Sequence, residues 1–282
     1  MALTELHVHL EGTVDRQTVR LLDPSLSEQV VARAWSFITR RMIESFARRK
    51  IGYAEVTLGA GVVLWRGFDF HAVWNAIRQA QKEACAATGV QIFWNLDAIR
   101  QMGADHVMEV ARLASRYVGD GAISFGIGGD ERAGPAHLFR DAYRYARDAG
   151  FRLTAHAGET DGPDSIRAAL DIGAERIGHG IHAAEDSDLL RRLRDEDIPL
   201  EVSITSNVKT GAVASLETHP LRKLLDAGVA VTLNTDDPGI FETDLEREFE
   251  LARTAFAVSD SERAALLANA ERYRFYNKQV SA

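Results

Sequence analysis

Short apolar runs alternate with longer amphipathic ones along the whole chain. The short runs cover residues 5–10, 53–58, 90–96, 122–128, 152–156, 176–179, 200–204 and 229–234. They are rich in Val, Ile, Leu and Phe, and several end in Gly, Asn or Asp, as buried strands do. Between them, residues 32–50 and 69–87 carry apolar side chains at three- and four-residue intervals with Arg, Lys and Glu in between. That spacing predicts helices with one buried face. Residues 135–149, 164–172 and 221–227 each run up to a glycine (Gly150, Gly173 and Gly228), a suitable helix end.

Strands alternating with helices imply parallel strands joined by crossovers. Eight such units in 282 residues predict an α/β fold, a single (β/α)8 TIM barrel over residues 1–282. A doubly wound sheet is the alternative. No Gly-x-Gly-x-x-Gly follows the first run, which speaks against dinucleotide binding. Barrel sites form at the C-terminal ends of the strands, so the reactive side chains are sought there.

Composition narrows the function classes. With 46% hydrophobic and 26% charged residues the chain reads as globular, not disordered. A net charge of −8 argues against nucleic acid as a partner, because that binding needs a basic face. The single cysteine, Cys85, excludes an internal disulfide and favours a reducing compartment. The longest apolar stretch, residues 59–65, is far short of the ~20 needed to span a membrane. The first residues lack a basic start followed by an apolar core. A cytoplasmic protein without a membrane partner is expected.

Candidate chemistry sits where the runs end. His7 and His9 lie two apart, so in a strand they share a face. They fit either a metal pair or two surface histidines on an edge strand. His156 with Glu159 ends the fifth run, His179 the sixth, and Asp236 with Asp237 follows the eighth. Each alone has an ordinary explanation as a core histidine or a helix cap. Together they supply what metal-assisted hydrolysis needs: histidines and a carboxylate for a metal, with further groups for protons.

The ordered motifs His7-Val8-His9-Leu10-Glu11-Gly12-Thr13, His156-Ala157-Gly158-Glu159, Arg176-Ile177-Gly178-His179-Gly180, Ser206-Asn207 and Asn234-Thr235-Asp236-Asp237-Pro238 resemble the signatures of the adenosine deaminase family. The resemblance implies the barrel and one Zn²⁺ per chain, held by His7, His9, His156 and Asp236. It implies metal-activated water attacking the carbon that bears the amine of a 6-aminopurine. Glu159 and His179 are the implied catalytic residues, Glu159 protonating N1 and His179 orienting the water and helping to take its proton. Asp237 is implied at N7, the Gly129 N–H at N3, and Glu11 near the sugar. The implied partner is a small 6-aminopurine nucleoside, adenosine or deoxyadenosine.

Two departures bear on the substrate. The stretch from Gly12 to Tyr53 is short for the family, with one helix expected over 26–50 and a turn at Asp23-Pro24-Ser25. A more open mouth follows, closed by a second subunit of a homo-oligomer or by a larger substrate. Glu55-Val56-Thr57-Leu58-Gly59 also departs from the family pattern on the second strand. Aminodeoxyfutalosine, a nucleoside with a bulky benzoate tail, is therefore the rival substrate, and free adenine the third. A two-metal amidohydrolase is disfavoured because the fourth run ends without lysine. A non-catalytic purine-binding barrel is disfavoured because no expected ligand is missing. His182 and His219 receive no role, and His71, His106 and His137 are expected to face solvent.

Overall fold

The structure, a computed structural model, describes residues 2–14 and 28–276. Eight parallel strands follow one another in chain order: β1 Leu3–His9, β2 Ile51–Leu58, β3 Gln91–Ile99, β4 Ala122–Gly128, β5 Arg152–Ala157, β6 Arg176–His179, β7 Leu200–Val202 and β8 Val231–Leu233. The ring closes where Val8 bridges Asp236. There the His9 N–H donates to the Asp236 carbonyl at 2.9 Å and the Asp236 N–H to the His7 carbonyl at 3.0 Å. The expected (β/α)8 barrel is the fold found.

Pleating gives each strand one face towards the helices and one towards the barrel axis. Val8, Val56 and Trp94 share the outer face in register, as His9, Thr57 and Asn95 share the inner one. The outer residues pack under helices such as Phe70–Thr88, which buries Val73, Trp74 and Ile77. Helix Glu28–Arg48 occupies the expected 26–50 span. The turn expected at Asp23-Pro24-Ser25 lies outside the described residues.

The ends of several strands differ from the reading of the sequence. β1 begins at Leu3 and stops at His9, because Leu10 adopts helical angles and opens the turn Glu11–Thr13. β7 stops at Val202, and Ile204 starts a helix, Ile204–Lys209, that brings Ser206 and Asn207 to the site. Two helices after the eighth strand, Leu245–Phe256 and Asp260–Arg272, were not anticipated. The chain beyond them lies against the N-terminal end of the barrel. The Phe275 N–H donates to Glu55 at 2.6 Å, and the Phe275 ring lies 3.7 Å from the Arg176 guanidinium. No helix among the described residues is long and apolar enough to cross a membrane.

Candidate metal centre and active site

Five side chains meet above the C-terminal strand ends. One donor atom each of His7, His156, His179 and Asp236 lies within 4.8 Å of all the others. His9 joins them: its Nε2 is 3.2 Å from His156 Nε2 and 3.3 Å from Asp236 Oδ1. Two residues of the cluster, His179 (φ 62°) at the end of β6 and Asp236 (φ 59°) beyond β8, adopt left-handed backbone. Non-glycine residues hold such angles only where the surroundings compensate the strain. Here the departure from strand geometry turns both side chains into the cluster.

The ring nitrogens fit a cation. His7 Nδ1 donates to Glu201 Oε2 at 2.8 Å, which leaves a lone pair on Nε2. That Nε2 is buried without a hydrogen-bond partner, 3.6 Å from Asp236 Oδ1. Burial alone would lower the His7 pKa. Asp236 and Glu201 more than reverse this and raise it well above its ordinary range, a pull on positive charge that a bound cation would satisfy in place of the proton. His156 Nδ1 lies 3.2 Å from the Ile127 carbonyl, which turns its Nε2 lone pair to the centre. Burial and the neighbouring His7, His9 and His179 hold His156 well below the usual imidazole range. Neutral imidazoles with bare nitrogens, oriented by second partners and gathered round one carboxylate, are the donor set that Zn²⁺ takes. Burial would raise the Asp236 pKa, but the close His7 ring and the other histidines around it hold it well below the usual carboxylate range. Ser206 Oγ donates to its other oxygen at 2.5 Å.

Glu159 Oε2 faces His179 Nε2 at 3.6 Å. Its loop is held by Glu131, which the sequence reading assigned no role. The Gly158, Glu159 and Thr160 N–H groups donate to the Glu131 carboxylate at 2.7, 2.9 and 2.8 Å. Burial would raise the Glu131 pKa; these bonds, with Ser165 and the Arg100 charge, bring it below the ordinary value. Asp97 was also missed. It is buried against the cluster, its Oδ2 3.6 Å from His156 Nδ1, and burial raises its pKa. Gly126 gives it room, since a Cβ there would lie 2.2 Å from Asp97 Oδ1.

The remaining expected residues ring the same mouth. Glu11 accepts from the Gly59 N–H at 3.2 Å, and burial raises its pKa. Asp237 is pushed up to about 7 by burial and by the charge of Asp236. It fits only because Gly12 has no side chain: a Cβ there would lie 1.6 Å from Asp237 Oδ1. Gly129 follows β4 with φ 99°, a conformation glycine adopts freely. His219, given no role from sequence, is buried and joined to the cluster through Asn207.

Residues 27–282 match the family model described as "Adenosine deaminase". The aminodeoxyfutalosine deaminase of Streptomyces avermitilis is 40% identical over 235 residues, 82% of this chain. The match spans 66% of that relative's length. The adenosine deaminase of Erwinia tasmaniensis is 30% identical over 322 aligned positions, covering 100% of this chain and 96% of the relative. Among solved structures, the adenine deaminase of Arthrobacter aurescens superposes with a TM-score of 0.88 at 28% identity, covering 98% of this chain and 94% of its own.

Proposed function

We propose, from the premise that this chain belongs to the adenosine deaminase family, that it removes the amine of a 6-aminopurine nucleoside by hydrolysis. The family makes it a hydrolase of C–N bonds. The observation that carries the finer reading is one carboxyl, Glu159, set beside His179 at the edge of a zinc-type donor cluster.

His7, His9, His156 and Asp236 would hold one Zn²⁺. When bound, it supplies the Lewis acidity that brings the pKa of water towards ~7. Glu159 gives its proton to N1 of the purine, which opens C6 to attack by water. The amine leaves as ammonia, and the protons of water restore Glu159 and complete the ammonia. Asp237 and the Gly129 N–H hold N7 and N3. Glu11 holds the sugar side, its carboxyl fixed by the Gly59 N–H.

Adenosine and deoxyadenosine are the proposed substrates. Aminodeoxyfutalosine is the second reading, favoured by the Streptomyces avermitilis relative. A spectrophotometric panel of adenosine, deoxyadenosine, aminodeoxyfutalosine, adenine and cytidine decides between them. A higher kcat/KM on aminodeoxyfutalosine or adenine replaces the N9 substituent and keeps the chemistry; turnover of cytidine alone overturns the purine reading. Glu159→Gln is expected to keep its zinc and lose turnover by roughly 10²- to 10⁴-fold, the usual worth of a general acid. Near-normal activity in that variant removes Glu159 from its role.

A further inference from the structure

We propose that His219 and Asn207 are positioning residues that orient the ring of His179 with a hydrogen on Nε2. His179 then presents an N–H to the attacking oxygen. The role at that oxygen rests on the deaminase reading above; the position of the hydrogen does not.

The inference starts from a backbone group whose direction is not open to choice. Leu221 opens the helix Leu221–Asp226, so its N–H belongs to the first turn and has no carbonyl within the helix. It donates to His219 Nδ1 at 3.2 Å. That nitrogen is therefore an acceptor, and the one hydrogen of the neutral ring is on Nε2. His219 Nε2 is 3.2 Å from Asn207 Oδ1, which accepts it. The orientation of the Asn207 amide follows, and its Nδ2 points at His179 Nδ1 at 2.9 Å. An amide N–H only donates, so His179 Nδ1 accepts and its hydrogen is on Nε2. This nitrogen faces Glu159 Oε2 at 3.6 Å and Asp236 Oδ2 at 4.0 Å.

The relay is shielded: His179, Asn207 and His219 are 1%, 0% and 4% exposed. Burial above all holds His219 down to about 4, so its ring stays neutral at ordinary pH. Nε2 of His179 then has no lone pair for a metal. The same fact settles a choice that distance leaves open. Five side chains crowd the centre, and the hydrogen on His179 removes it from the ligands, which leaves His7, His9, His156 and Asp236.

The test is a long-range ¹H–¹⁵N correlation spectrum of the zinc-loaded protein labelled with ¹⁵N-histidine. The His219→Gln and His179→Asn variants assign the two rings. The expected spectrum shows an unprotonated Nδ1 and a protonated Nε2 for both. A wild-type His179 with its hydrogen on Nδ1 overturns the relay, whatever the substrate. The expected tautomer in a protein that deaminates no purine supports the relay and removes the proposed reaction. Asn207→Asp replaces the donor to Nδ1 with an acceptor of the same shape. It is expected to move the hydrogen to Nδ1 and lower kcat roughly 100-fold, the scale of one lost transition-state donor, with KM and zinc content unchanged. A moved hydrogen with unchanged kcat overturns the donor role.

Discussion

Along β3, Trp94, Leu96 and Ala98 turn to the helices, while Asn95 and Asp97 turn to the barrel axis. The split repeats around the ring. Leu6 and Val8 face outward on β1 with Glu5 and His7 inward; Ile177 faces outward on β6 with Arg176 inward. The two faces hold together differently. The outer face removes apolar area from water, at about 1.5–3 kcal/mol per large side chain, with little demand on direction. The inner face is a set of directed pairs. Arg176 reaches Glu55 on β2 at 2.6 Å and Glu201 on β7 at 2.5 Å, and Glu201 in turn accepts from His7 on β1. β2 and β6 lie on opposite sides of the ring, so this chain of charges passes through the lumen and is satisfied only when the ring is closed. The apolar face supplies the scaffold. The polar face ties closure of the barrel to the orientation of His7, a histidine of the candidate metal cluster.

The largest effect is expected from Arg176→Met. It leaves Glu55 and Glu201 buried without their guanidinium, and breaking a buried pair from one side costs about 3–5 kcal/mol. Urea unfolding should show that loss, and zinc content should fall, because Glu201 would then rest on His7 alone. A loss below about 1 kcal/mol, the size of a surface ion pair, would mean a solvated lumen and erase the contrast.

On the outer face, Leu96→Ala removes a fully buried side chain under the helices. Its cavity should cost about 2–5 kcal/mol of stability. The kcat of the folded protein should stay at the wild-type value, since no polar partner of the site is touched. A fall in kcat larger than the fall in folded fraction would show that the outer packing sets the geometry of the centre.

The contrast also explains what the sequence made legible. Outer-face residues come as local runs, so eight strands and their order could be read from spacing alone; β4 and β6 match to the residue. The candidate site residues could be picked out because strand ends carry them and the family motifs order them. Their supports were not. Glu201 is 194 positions from His7, and Glu131 holds residues 158–160 from the preceding loop. No periodicity links such pairs. Strand ends were misplaced where the chain leaves the ladder with helical angles, as at Leu10 and Ile204. Some signals went unused. Ser259-x-x-Glu262 is a capping box that announces the last helix, and His219 stands just before a helix start. His106, expected in solvent, is half-buried against Gly61, whose Cβ would lie 2.9 Å from its Nε2.

The smallest expected effect comes from a polar support that carries no charge. His219 is held neutral by burial, at about 4 against an ordinary 6.5. Its folded pKa is lowered, so below 6.5 the unfolded chain binds a proton that the native protein refuses. Stability from this residue is therefore complete above pH 6.5 and is lost as pH falls towards 4. Between pH 7 and pH 5 the loss is about 1.5 pKa units, or ~2 kcal/mol. Urea unfolding of the wild type should lose that much more over this interval than His219→Gln, which has nothing to protonate. Equal losses in the two proteins would show that His219 takes a proton inside the fold without strain. The inner face would then tolerate a new charge as water does, and the directed pairing that separates it from the outer face would fail at this point.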